Sequence, residues 1–112
     1  MDLGRSKPDF IALLKYKSPE EGGRKTAANS NYRPITKFAG YELLTSGEQI
    51  FLDKEIAKPG ETVKAGITIL AFDFFKTKLF VGQTFIFFEG NPDRILGTGE
   101  ILEIKNKELE KK

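Results

Sequence analysis

From residue 9 to residue 104 the chain is interrupted about every ten residues by side chains that reverse its direction. Lys58-Pro59-Gly60-Glu61 and Gly90-Asn91-Pro92-Asp93 are the plainest interruptions, a proline fixing one φ and a glycine supplying a positive one. The intervening segments are rich in β-branched and aromatic residues and too short for globular helices. A chain cut this finely reads as about six short strands, which means an all-β barrel or sandwich. Closure into a barrel is physically favoured because it removes open strand edges, but the pattern alone does not separate the two.

In chain order, residues 1–8 read as a loose lead-in, residues 9–104 as a single domain and residues 105–112 as a frayed charged tail whose only large apolar residue is Leu109. Residues 9–17 form the first strand. Ser18-Pro19-Glu20-Glu21 has a capping serine, a proline at the first helical position and acids, and Gly22-Gly23 limits it to one turn. A polar loop covers residues 24–32, and Pro34 biases Arg33 to extended geometry. Residues 35–41 form the second strand, Thr45-Ser46-Gly47-Glu48 a turn, and residues 49–53 the third. Residues 62–70 are the clearest strand, with Gly66 read as a bulge or bend, and residues 94–104 the last, with Gly97 and Gly99 read as tight barrel bends.

Composition removes several functions. There is no Cys and no His, hence no thiolate nucleophile, no disulfide and no imidazole base or metal ligand. Asp73, Glu89, Asp93 and Glu100 lie near strands without a spacing that pairs them, and no calcium-loop pattern occurs. A non-catalytic chain without metal or cofactor is expected. The net charge of +2, from 18 basic and 16 acidic side chains, argues against a generally polybasic binder but leaves room for a local patch. Such a patch lies between residues 15 and 37, where Lys15, Lys17, Arg24, Lys25, Arg33 and Lys37 face only Glu20 and Glu21. No apolar run resembles a signal peptide or a membrane span, so a cytoplasmic location is expected.

Six motifs carry a family resemblance: Glu20-Glu21-Gly22-Gly23-Arg24-Lys25-Thr26, Tyr32-Arg33-Pro34, Thr45-Ser46-Gly47, Lys58-Pro59-Gly60-Glu61, Phe87-Phe88-Glu89-Gly90 and Arg94-Ile95-Leu96-Gly97-Thr98-Gly99. In order and near-spacing they resemble the C-terminal domain of elongation factor Tu, with Gly22, Gly23, Tyr32 and Pro34 as structural positions of the motif. The resemblance implies a six-stranded antiparallel closed β-barrel, a contact with the T stem of aminoacyl-tRNA, and contacts with sister domains and elongation factor Ts. It implies RNA-contact roles for Arg24, Lys25, Glu89 and Gly90, and Arg33 joins them as a basic neighbour: cations neutralise phosphates, glycine admits close backbone approach and a carboxylate accepts from a ribose hydroxyl. No Gly-x-x-x-x-Gly-Lys-Ser/Thr loop is present, so no nucleotide is expected as a ligand.

The chain also departs from that pattern. Ile35 stands where the family has a glutamine, Asn91-Pro92-Asp93 replaces its turn, and residues 71–81 are longer and more aromatic. If β-structure continues past Leu70, Phe72 and Phe74 share one face and fill the core, while Phe75 falls on the other and, with Phe80, forms an exposed patch. Two functional readings stay open: a translation-related binding module acting through tRNA, another RNA or a protein contact, and a protein-interaction module repurposed away from translation that uses an aromatic patch around Phe72 to Phe80, through a partner or self-association.

Overall fold

The computed structural model describes residues 8–112, so the lead-in over residues 1–8 lies, apart from Pro8, outside the described residues. Strand β1 (Phe10–Tyr16) closes a ring: it pairs with β6 (Thr62–Ile69) on one side and β8 (Ile95–Ile104) on the other. The remaining barrel strands are β3 (Ile35–Phe38), β4 (Thr45–Phe51) and β7 (Thr84–Phe88), giving the closed order β1-β6-β4-β3-β7-β8 with every pair antiparallel. The fold is therefore a six-stranded antiparallel β-barrel. Two short strands, β2 (Ala28–Asn29) and β5 (Ile56–Ala57), pair outside it.

Period-2 alternation builds the interior. Phe10, Ala12, Leu14 and Tyr16 of β1 point inward, while Lys15 is exposed. The ring of Phe10 meets those of Phe38 and Phe85 edge-on, each at 5.9 Å, and Tyr16 meets Phe87 at 5.0 Å. Such aromatic pairs stabilise by about 0.5–1.5 kcal/mol beyond their area burial. Two glycines make room for these rings. A Cβ on Gly97 would stand 2.3 Å from the Phe87 ring, and one on Gly99 2.2 Å from the Phe85 ring. The glycines of β8 are thus seats for aromatic rings; the ladder irregularities fall between Ile11 and Ala12 and beside Gly97, where Phe87 pairs with Gly97 and Phe88 with Ile95, while Gly99 keeps regular register. Gly66 likewise sits in regular register, with no bulge, and a side chain there would press against Pro8 at 3.0 Å.

Three further expectations are corrected. Thr45-Ser46-Gly47-Glu48 is not a turn but the start of β4, because Thr45 and Ser46 pair with Thr36 and Ile35 of β3. Leu70 to Phe75 does not extend β6. The ladder with β4 ends at the Gly47–Ile69 pair, Ala71 N donates to Thr45 Oγ1 at 2.8 Å, and the chain turns into the short helix α1 (Phe72–Phe75). The charged tail is not frayed: Thr77 N donates to Glu108 O, Leu79 N to Leu109 O and Lys111 N to Leu79 O, and Leu79 and Leu109 are fully buried. One apolar anchor joined to main-chain bonds suffices to hold it. The buried Asp9 ties the same end together. Its carboxylate accepts from Ile69 N at 2.9 Å, and its carbonyl from Lys105 N and Asn106 N.

Candidate nucleic-acid interface

Ser18 and Glu21 form a reciprocal capping box around the 3-10 turn Pro19–Glu21. Hydrogen bonds from Ser18 hold the Glu21 carboxyl below the usual carboxylate range. Gly22 ends the turn at φ 95, a left-handed conformation that a larger residue adopts only with strain. Gly23 follows so tightly that a Cβ would lie 2.1 Å from the carbonyl oxygen of Lys17. The two glycines therefore fix where the next side chain, Arg24, begins.

Arg24 is held on several sides. Its Nε donates to Thr26 O at 3.2 Å, its Nη2 to Thr26 Oγ1 and Ala27 O at 3.3 Å, and its guanidinium carbon lies 4.7 Å from the centre of the Tyr32 ring. Glu89, at the end of β7, faces it at 3.6 Å. Burial pushes the Tyr32 hydroxyl up to about 12, with Arg24 pulling it down and Glu89 pushing it up. Burial also pushes up the Tyr16 hydroxyl, which donates to Gln49 Oε1. Gly90 is exposed beside Glu89 at the start of the β7–β8 turn.

Arg94 completes the cluster from across that turn. Its Nε donates to Gly22 O and its Nη2 to Gly23 O, both at 3.2 Å. Arg24, Lys25, Thr26, Glu89 and Arg94 line one open depression of about 460 Å³. The fold thus brings Arg24, Lys25 and Glu89 together. Arg94 was missed as a site residue although it heads a quoted motif; a basic residue directly after a hairpin turn was the available signal.

Arg33 is placed elsewhere. It lies 3.7 Å from Glu48, whose side chain is buried, and does not line the depression. Its two neighbours build the fold: Tyr32 bridges to Gln49 of β4, and Pro34 O accepts from Gly47 N at 3.1 Å.

The aromatic segment is corrected in both directions. Phe75 is fully buried, its ring 4.9 Å from that of Phe38, so it belongs to the core rather than to an exposed patch. Phe74 is 43% exposed and Phe72 half-buried, although strand parity puts both inside. Parity fails because the segment is helical, with a period near 3.6 instead of 2. Phe80 is 42% exposed, with Lys111 Nζ 5.5 Å from its ring centre.

Among the described residues no group of His, Cys, Asp and Glu could hold a metal ion, and no helix is long and apolar enough to cross a membrane. No protein-family model matches the chain, and no curated protein matches it.

Proposed function

We propose that this chain is a non-catalytic binding module that takes the phosphate backbone of RNA, tRNA first among candidates, at the loop of residues 22–26. The observation that carries this reading is the convergence of Arg24, Lys25 and Arg94 on one open depression beside the acceptor Glu89. Arg24 and Arg94 spend hydrogen bonds on the loop itself, so they shape the surface as well as charge it. Lys25 is exposed and carries no ion pair among the described residues, which leaves it free to meet a phosphate. The motif resemblance to the elongation factor Tu C-terminal domain supports the same surface and a link to translation. Filter binding of tRNA at several salt concentrations tests it: Lys25→Glu should weaken binding and lower the salt slope by about one unit. Wild-type protein that holds tRNA no better than a control protein of equal charge overturns the RNA reading.

A second reading has its own observation. Leu43, Leu44 and Leu70 are exposed together with Phe74, and Leu70 N is hydrogen-bonded to Ser46 O just after the two leucines. Exposed apolar residues of this size near one another suit a protein partner or a second copy. Sedimentation of Leu44→Ser with Leu70→Ser tests self-association; a wild-type mass of one chain at high concentration removes it.

A further inference from the structure

The outer face of β3, β7, β8 and β1 carries a groove of about 460 Å³, distinct from the Arg24 depression. Register explains its shape. One row across the strands runs Lys37, Ile86, Thr98, Lys15, and the next runs Ala39, Thr84, Glu100, Leu13. The first row carries lysines at both ends beside the shorter Ile86 and Thr98, and the second sets the small Ala39 and Thr84 beside Glu100 and Leu13. Its floor is mostly apolar, with Ile86 and Leu13 both half-buried although they point away from the core. The volume falls within the range of about 300–1,000 Å³ usual for small-ligand sites.

The charges select the ligand. Lys15 has no ion pair among the described residues, and Lys37 reaches only Glu42 at 3.8 Å, whose carboxylate is 98% exposed. An ion pair that open is weak and readily exchanged. The two lysines flank Ile86 and Thr98 in the row, and neither is paired with a buried carboxylate. Glu100, one row away, repels a second negative charge. We propose that the groove binds a small amphipathic monoanion, an apolar body bearing one carboxylate, its head between Lys15 and Lys37 and its body along Ile86 and Leu13.

Octanoate below its micelle concentration is the probe, followed by amide shifts in nuclear magnetic resonance. Saturable shifts centred on Leu13, Ala39 and Ile86 are expected. Octanol should bind more weakly than octanoate, and Lys15→Gln with Lys37→Gln should weaken octanoate roughly tenfold, two exposed charge contacts of modest strength. Glu100→Gln should admit the dicarboxylate suberate, which the wild-type chain rejects. All three substitutions sit on the outer face, and spectral dispersion verifies their fold. Shifts scattered over the surface, equal binding of octanol and octanoate, or an unchanged affinity in the double lysine variant overturns the proposal.

Discussion

Arg94 clasps Gly22 across 72 residues of sequence, its Nε donating to the glycine carbonyl at 3.2 Å while Nη2 reaches the carbonyl of Gly23. A hairpin-end arginine thereby sets the position of the loop that carries Arg24 and Lys25. Arg94→Ala should cost about 1–2 kcal/mol in denaturant unfolding, the scale of charge-assisted bonds near the surface. Arg94→Lys should not recover it, because a single ammonium cannot reproduce the forked geometry. Faster amide exchange in residues 22–26 is the accompanying signature; unchanged exchange in Arg94→Ala contradicts the clasp.

Gly99→Ala puts a methyl group where the Phe85 ring lies. The expected loss is about 1–3 kcal/mol or more, the cost of overpacking a rigid site. Phe85→Leu in the same chain should return part of it, so the two changes are non-additive. Thermal melts of the four chains in that cycle measure the coupling.

Phe74 and Phe75 are neighbours with opposite fates. Phe75→Ala should cost about 3–5 kcal/mol, as a core aromatic truncation does, whereas Phe74→Ser should stay within about 1 kcal/mol. Equal losses would mean that α1 does not hold the two rings as described.

Leu109→Ala should destabilise by about 2–5 kcal/mol despite lying three residues from the last residue of the sequence, since the side chain is fully buried against the barrel. Lys112→Ala, exposed, serves as the control. A loss below 0.5 kcal/mol, the range of surface changes, would return the tail to the frayed state its charge suggests.

Alkaline pH should unfold the chain through its tyrosines. Tyr16 and Tyr32 are both raised by burial, Tyr32 to about 12. Below a pH of about 10 both phenols are protonated in either state, and their contribution is constant. Above it the unfolded chain releases protons that the folded chain keeps, so stability falls as pH rises towards the folded values. Tyrosinate absorbance should rise late and together with unfolding, and Tyr32→Phe should make the fall in stability less steep. Full tyrosine ionisation in a still-folded chain would contradict this.

Much of the fold could be read from local chemistry. The turn at Lys58-Pro59-Gly60-Glu61 forms as proline and glycine dictate, with Glu61 N donating to Lys58 O, and Ser18 caps its turn with Glu21. What could not be read depends on distant partners. Thr45 and Ser46 carry turn chemistry, yet they extend because Ile35 and Thr36 lie alongside. The phenylalanines of α1 changed period because the chain leaves β6 after Ile69, with Leu70 N and Ala71 N held by Ser46 O and Thr45 Oγ1, which no local pattern announces. Arg24, Lys25 and Glu89 line one depression, but Arg33 turned to Glu48, a buried carboxylate with no sequence neighbour to betray it.

The ring of strands is uneven around its circumference. Strands β1 and β8 are laced from Phe10 with Ile104 to Tyr16 with Gly97, whereas β3 and β4 pair at Ile35 with Ser46 and Thr36 with Thr45, extended by Pro34 O to Gly47 N and the Tyr32–Gln49 bridge. A closed hoop carries load through every joint and parts at the slimmest. Amide exchange is therefore expected to be faster along the β3–β4 seam, beside the exposed Leu43 and Leu44, than along the β1–β8 seam.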